Sequence, residues 1–181
     1  MTTLQLMQLT LRKLDRPTDN DTVALYKERL LGYLNEALLD LTAELRPWRR
    51  DPVTVTNGQA DLTGLPCACV KVLAARVDQA RRLFYYGSTR STLVFPGMEN
   101  GTVELTYRYQ PTTLSELTDE PQLPEALQPL LVEYAAARER SRFDAASQNA
   151  ARLDLTLYRQ LTARLRRNYP APDMAQIYHI Y

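Results

Sequence analysis

The sequence is poor in the residues that most metal centres and nucleophilic active sites require. Its 181 residues include one histidine, His179, and two cysteines, Cys67 and Cys69. These three residues fall short of the four ligands that a structural zinc site takes, and a histidine so close to a chain end is rarely held rigidly enough for catalysis. Cys67 and Cys69 would point to opposite faces of a strand, which suits two reduced, buried side chains better than a disulfide. We therefore expect no metal, no cofactor and no catalytic centre.

The sequence also has few glycines, no long apolar run and a small net charge. The six glycines do not fall in the spacing of a phosphate-binding loop. No apolar run approaches the roughly 18 residues of a membrane-spanning helix, and the first residues lack the pattern of a signal peptide, so we expect no membrane partner. The net charge of +1 argues against a protein that holds nucleic acid by neutralising phosphates.

Apolar residues at steps of three and four predict four helices, at residues 3–14, 21–45, 124–142 and 145–167. The polar cluster at residues 18–21 and the later Asp144 are N-cap candidates for the second and fourth helices. Pro129 lies inside the third helix and predicts a kink or a loose first turn. The last two helices are close in sequence and should pack as an antiparallel hairpin. The buried stripe of the fourth helix is predicted to consist of Ala146, Ala150, Leu153, Leu157, Leu161 and Leu165.

Between about residues 53 and 110 the apolar pattern changes to that of strands. Asn57-Gly58 lies between two alternating segments and predicts a tight hairpin, because both residues of such a turn need positive φ. Further strands are predicted at residues 68–77, 82–86, 91–95 and 102–109, and in the last of these Val103, Leu105, Tyr107 and Tyr109 share one face. We therefore predict an α+β fold: a helical bundle, made of two N-terminal helices and a C-terminal helical hairpin, with an inserted antiparallel sheet of five or six strands. Residues 1–167 are expected to form a single domain.

The segment after the last helix is the most unusual part of the sequence. Pro170 and Pro172 prevent a continuous helix over residues 168–181, yet this segment is richer in aromatic and branched residues than a disordered tail. Its large apolar side chains are Tyr169, Met174, Ile177, Tyr178, Ile180 and Tyr181. The segment either folds back on its own core or forms an extended arm that docks on another subunit by adding a strand. We favour the arm.

Two groups of arginines have more than one interpretation. Arg159, Arg164, Arg166 and Arg167 satisfy the preference for cations at a helix C-terminus, and they would also suit a DNA channel or an acidic partner. Arg46, Arg49 and Arg50 surround Trp48. They predict either a phosphate-binding cluster or, more commonly, a solvated helix end anchored by one tryptophan.

Three stretches, in this order of elements, carry a resemblance to a known family. The first is Val-Thr-Val-Thr-Asn-Gly-Gln-Ala-Asp-Leu at residues 53–62, followed by Leu65-Pro66 and the strand Val70-Lys71-Val72. The second is Gly-Thr-Val-Glu-Leu-Thr-Tyr-Arg-Tyr-Gln-Pro at residues 101–111. The third is Leu-Pro-Glu-Ala-Leu-Gln-Pro-Leu-Leu-Val-Glu-Tyr-Ala-Ala-Ala-Arg at residues 123–138. Together they resemble the head–tail connector, or adaptor, proteins of tailed bacteriophages over nearly the whole chain.

The resemblance implies a structural protein and not an enzyme. Such proteins form a ring, usually of twelve copies, below the portal vertex in the neck of the virion, and they are assembled in the cytoplasm of the host bacterium. The implied partners are further copies of the chain, the portal protein, a tail-side protein (nozzle, stopper or tail tube) and genomic DNA that passes through without sequence recognition. The arm at residues 168–181 would contact the portal, and the hairpin tip at Asn57 and Gly58 would face the tail side.

The long helix at residues 21–45 and the final helical hairpin are expected to supply much of the contact between copies, because together they carry more apolar face than one core needs. The nearest alternative is a head-completion or tail-completion protein at another level of the neck. A nucleic-acid-binding regulator is a weaker alternative, since the arginines are dispersed over helix ends. An enzyme would need an enclosed pocket with two or more ionisable groups.

Overall fold

The computed structural model describes residues 1–168, and these residues divide into two compact units. The helical unit consists of residues 1–45 and the described residues from 111 onward, and the sheet unit consists of residues 46–110. The α+β fold class is therefore confirmed. The predicted arm residues Tyr169, Met174, Ile177, Tyr178, Ile180 and Tyr181 lie outside the described residues.

Local chemistry explains where the helices of the helical unit begin. Within the described residues they are α1 (Thr3–Lys13), α2 (Asn20–Leu45), a 3-10 turn (Glu125–Leu127), α3 (Gln128–Arg140) and α4 (Ala145–Asn168). Asp19 caps α2 by accepting a hydrogen bond of 2.9 Å from the backbone of Thr22, and Asp144 caps α4 by accepting one of 2.8 Å from the backbone of Ser147. These contacts hold the pKa of both carboxyl groups below its ordinary value, since the backbone hydrogen bond favours the ionised form.

Pro129 explains why the third helix starts later than its apolar pattern suggests. A proline inside a helix clashes with the carbonyl four residues earlier, here that of Glu125, and donates no hydrogen bond. The chain therefore forms the 3-10 turn first and enters α3 at Gln128, so that Pro129 occupies the first turn of the α-helix.

The core of the helical unit lies between α1, α2 and α3. Its wholly buried members include Leu6, Leu30, Leu34 and Leu131. The segment before α3 is fastened to α2 by Asn35, whose side-chain amide donates to the backbone oxygen of Leu114 at 2.9 Å and accepts from its backbone nitrogen at 2.8 Å.

The fourth helix presents a different face to the core from the one predicted. Its buried side chains are Ala151, Tyr158 and Thr162. Of the predicted stripe, Leu161 and Leu165 are half-buried and pack against the core, whereas Ala146, Ala150, Leu153 and Leu157 are exposed. The prediction was wrong for those four because α4 carries apolar residues on two sides, and the side with Tyr158 offers a larger ring to bury and a hydroxyl with a partner.

Residues 46–110 form two antiparallel sheets with seven strands. The strands are β1 (Trp48–Val55), β2 (Gln59–Asp61), β3 (Ala68–Val77), β4 (Ala80–Arg81), β5 (Tyr85–Tyr86), β6 (Thr92–Val94) and β7 (Gly101–Gln110). One sheet has the order β1-β7-β3-β4 and the other the order β2-β6-β5. The inserted antiparallel β-structure is confirmed, but it has seven strands in two sheets, where the sequence predicted five or six strands in one. Beyond the Asn57-Gly58 turn the two arms of the hairpin keep one bridge, between Thr56 and Gln59, and β2 then leaves β1 to pair with β6.

The long strand β7 lies in the middle of the first sheet and supplies much of the core of the sheet unit. Val103, Leu105 and Tyr107 are wholly buried on one face and Tyr109 nearly so, as the alternation predicts. The hydroxyl of Tyr107 donates to the carboxylate of Asp51 on β1 at 2.6 Å. Asp51 is in turn paired with Arg49, whose Nη2 donates to the other carboxylate oxygen at 2.7 Å.

Candidate assembly surfaces

The potential metal ligands of the described residues are dispersed. Residues 1–168 contain no group of three or more His, Cys, Asp or Glu side chains that could hold a metal ion. In the same part of the chain no helix is long and apolar enough to cross a membrane. Cys67 is buried and Cys69 half-buried, and both are free thiols. Burial raises the pKa of the Cys69 thiol to about 11, so this thiol stays protonated and unreactive near neutral pH.

The four arginines predicted near the end of α4 are divided between two surfaces. Arg159, Arg166 and Arg167 line a groove of about 870 Å³ between α4 and α2. The facing acids on α2 are Asp40 and Glu44, and Arg166 Nη1 lies 3.1 Å from Glu44 Oε2. This groove is therefore mixed in charge rather than a basic patch.

Tyr158 closes the inner wall of that groove. Its hydroxyl donates to Asp40 Oδ2 at 2.7 Å, and its ring packs edge-on against Tyr134 with 5.3 Å between the ring centroids. Burial and the neighbouring Asp40 carboxylate both raise the pKa of Tyr158 above the ordinary value. The pairing fixes the rotation of α4 on α2 and so decides which face of α4 meets solvent.

The outward side of α4 carries an apolar row, which we call the α4 outer stripe. Its members are Ala146, Ala150, Leu153, Leu157, Gln160 and Arg164, all of them exposed. Leu153 is 72% exposed and Leu157 49%. Arg164, the fourth predicted arginine, thus lies at the end of this stripe and not in the groove.

The outward side of α2 carries a second row, the α2 outer stripe, which the sequence reasoning did not single out by residue. Its members are Asp21, Leu25, Glu28, Gly32, Glu36, Leu39 and Ala43, all of them exposed. Leu25 is 73% exposed and Leu39 47%. The signal in the sequence was the pair Leu25 and Leu39 among the acids of the side opposite the buried leucines, where a helix with one buried face usually carries polar residues.

The Asn57-Gly58 turn has the geometry that its residues predict. Asn57 has φ 51° and Gly58 φ 74°, the positive pair of a type I′ turn. The turn is fastened to the following loop, because the backbone nitrogen of Gly58 donates to Glu99 at 2.7 Å and its oxygen accepts from Phe95 at 2.8 Å. The tip is therefore a rigid feature of the surface of the sheet unit.

The arginines around Trp48 do not form one cluster. Residues 48–50 belong to β1 instead of a solvated helix end, and the alternation of a strand turns Arg49 inward to Asp51. Arg49 Nη1 also lies 3.1 Å from the sulfur of Cys67. Arg50 lies beside the ring of Trp48 on the other face, with 5.6 Å between its guanidinium carbon and the ring centroid.

That other face of the first sheet gathers basic residues from strands far apart in sequence. Lys71 on β3 lies directly opposite Arg108 on β7. Arg76 lies between Arg81 on β4 and the acidic Glu104 on β7. Opposite charges on facing strands stabilise a sheet and like charges weaken it, so this face is mixed in charge, with its basic excess at Lys71 and Arg108. Sequence reasoning missed it because the register between strands was not known.

The comparison with known families assigns the chain to one family. The family model described as SU10 adaptor protein matches residues 1–176, which is nearly the whole chain. No curated protein sequence matches it.

Proposed function

Because the chain belongs to the SU10 adaptor protein family, a family of phage head–tail adaptors, we propose that it forms a ring between the portal vertex of the capsid and the tail, where it continues the DNA channel. The protein is a structural adaptor of a phage. The observation that carries the proposal is the family match over residues 1–176.

The two exposed stripes of the helical unit support a role in assembly. The stripes contain four leucines, two on α2 and two on α4, that are between 47% and 73% exposed. Large apolar side chains grouped on one face usually mark a surface that a partner covers. The proposed partners are further copies of the chain in a ring of twelve, the portal protein and a tail-side protein.

We also propose roles for two further segments, the arm and the Asn57-Gly58 turn. The apolar arm at residues 168–181 would attach to the portal, since its tyrosines and isoleucines gain most by burial against another protein. The rigid tip at Asn57 and Gly58 would face the tail. Genomic DNA would pass the ring without sequence recognition, which the net charge of +1 supports because a strongly basic wall would hold the phosphates.

Electron microscopy of the chain mixed with the portal ring of the same phage tests this function. The full-length chain should add a second ring to the portal, and a chain lacking residues 169–181 should fold but not attach. A chain with Ile177, Tyr178, Ile180 and Tyr181 replaced by serine should attach more weakly, and circular dichroism should show that each variant keeps the helical content of residues 1–168.

Each alternative has its own outcome. No added density on the portal, with folded protein, would refute the portal-adjacent ring, and density on another neck component would assign the chain to head or tail completion. Unfolding of the truncated chain would mean that residues 169–181 belong to its own core. Tight binding of short duplex DNA at both low and moderate salt would favour a nucleic-acid-binding regulator instead.

A further inference from the structure

The two outer stripes are comparable in length. Both run along their helices in steps of three and four. The α2 outer stripe, from Asp21 to Ala43, extends about 33 Å at roughly 1.5 Å per residue, and the α4 outer stripe, from Ala146 to Arg164, extends about 27 Å. The α2 outer stripe can therefore cover the α4 outer stripe along its entire length.

The two stripes also match in side-chain size when they are placed antiparallel. Gly32 then lies opposite Leu153 and Leu157, and Leu39 lies opposite Ala146 and Ala150. A Cβ added at Gly32 would meet no heavy atom within 4 Å, so the glycine leaves an open notch on the surface of α2. At these two places large side chains of one helix face small residues of the other, as in helices whose side chains interdigitate, whereas Leu25 faces the longer Gln160 and Arg164.

Gly32 leaves room for another helix to approach α2 closely. Glycine weakens the interior of a helix, and Gly32 lies near the middle of a helix of 26 residues. Its φ is not in the left-handed region, so the backbone does not require a glycine there. Close contact with another helix is a reason to keep one.

The charges agree with the antiparallel arrangement. The acids of the α2 outer stripe are Asp21, Glu28 and Glu36, of which Glu36 is paired with Arg138 of the same chain at 3.2 Å. The α4 outer stripe ends with Arg164. Placed antiparallel, Arg164 lies beside the acids at the start of α2. A parallel arrangement would place Arg164 near Leu39 instead.

We propose that the α4 outer stripe of one copy packs antiparallel on the α2 outer stripe of a second copy. This inference rests on the proposed function in one respect, which is that the function requires many identical copies in contact. The two stripes are different surfaces, so the contact is heterologous, and its repetition closes into a ring when the rotation between copies allows it. A self-complementary pair of identical stripes would stop at a dimer.

Disulfide trapping between separately labelled copies tests the contact. In a Cys69→Ser background, a Gly32→Cys chain is mixed with a Leu153→Cys chain, with and without the portal ring, and oxidised mildly. The expected product is a cross-linked pair that contains one chain of each kind. The matched control replaces Leu153→Cys by Arg152→Cys, which is exposed on α4 but lies outside the stripe, and it should give at least about tenfold less product.

A charge exchange provides a second readout in the full-length chain. Arg164→Glu should raise the concentration at which the copies associate, measured by sedimentation velocity, by a few-fold, as expected for an exposed ion pair. Adding Asp21→Arg to the same chain should restore association, because every contact then regains an opposite pair. Association unchanged by either substitution, or not restored by the second, would overturn the pairing of these two helix ends.

The outcomes separate this inference from the proposed function. A ring on the portal with no Gly32–Leu153 cross-link would refute the contact and leave the adaptor function standing. A specific cross-link in a chain that does not bind the portal would support the contact and refute the function. Equal cross-linking by the Arg152→Cys control, or a chain that stays monomeric in both conditions, would overturn the inference. If Leu153→Cys is shielded from alkylation in the monomer and removal of residues 169–181 exposes it, the stripe is covered by its own chain and the inference is wrong.

Discussion

Truncation of Tyr158 should release α4 from the rest of the helical unit. The side chain is 2% exposed and is the largest of the buried side chains of α4, the others being Ala151 and Thr162. Replacing a buried aromatic residue by alanine costs about 3–5 kcal/mol, and each half-buried leucine of α4 contributes less than the roughly 1.5–3 kcal/mol of a fully buried one. Tyr158→Ala therefore removes a large part of what holds α4.

Hydrogen exchange measured by mass spectrometry resolves where the effect falls. Peptides from residues 145–168 should lose protection in Tyr158→Ala, whereas peptides from α1, α2 and α3 should keep it, because their core consists of side chains such as Leu6, Leu34 and Leu131. Unchanged protection of α4 would refute the reasoning, and so would unfolding of the entire helical unit as one body.

Tyr158→Phe separates the hydroxyl from the ring. The ring keeps its packing on Tyr134, and the lost hydrogen bond to Asp40 should cost about 0.5–1.5 kcal/mol, since the exposed Asp40 carboxylate can be solvated by water in the variant. The free energy of unfolding from urea titration measures this difference. A loss as large as that of Tyr158→Ala would show that the hydroxyl, and not the ring, anchors the helix.

The contact between Tyr158 and Asp40 predicts that the stability of α4 falls at alkaline pH. Burial and Asp40 raise the pKa of Tyr158 above its ordinary value of 10.0, so the folded state binds the phenolic proton more tightly than the unfolded state. The stabilisation is fully present below pH 10 and is lost as the pH rises toward the raised value. Wild type should therefore lose α4 protection above pH 10 more steeply than Tyr158→Phe, which is the control because the raised pKa of Tyr107 and Tyr134 affects both chains.

Three further predictions concern the sheet unit. Tyr107→Phe removes a buried hydrogen bond to the Asp51 carboxylate and should lower the free energy of unfolding by about 1.5–3 kcal/mol, which denaturant titration measures; no change would mean that the pair is not formed in solution. Gly58→Ala places a side chain at φ +74° and should destabilise by about 1–2 kcal/mol, whereas Gly64→Ala, in open space at an ordinary φ, should be nearly neutral. Cys69, with its pKa raised to about 11, should react with iodoacetamide at pH 8 far more slowly than the same residue in guanidinium; equal rates would contradict its burial.

The features that the sequence predicts best depend on neighbours a few residues away. Asp19 and Asp144 cap their helices as expected because an N-cap needs a side-chain oxygen and an amide only three residues later. The Asn57-Gly58 turn follows for the same reason, since the positive φ values are properties of these two residues. The buried alternation of β7 also requires no knowledge of its partners.

The features that the sequence did not predict depend on partners far along the chain. The departure of β2 from β1 is decided by its pairing with β6, about thirty residues later. The basic pair of Lys71 and Arg108 exists only in the register of β3 on β7. The inward position of Arg49 follows from the strand period of β1, which places it on the same face as Asp51, and from Cys67, which is 18 residues away. The sequence interpretation, which took residues 46–50 as a helix end, therefore misses it.

The wrong prediction for α4 and the proposed contact between copies have one physical origin. Periodicity finds apolar stripes, but it ranks them on the premise that a monomer buries its most apolar face. In α4 the row with Leu153 and Leu157 is more apolar than the row with Tyr158 and Thr162, yet the second row is the buried one. A helix of an assembling protein packs both on the core of its own chain and on a second molecule. Its more apolar stripe can therefore be the one that packs on the second molecule. The cross-link between Gly32→Cys and Leu153→Cys therefore asks whether the prediction misjudged the burial of that stripe or only the molecule that buries it.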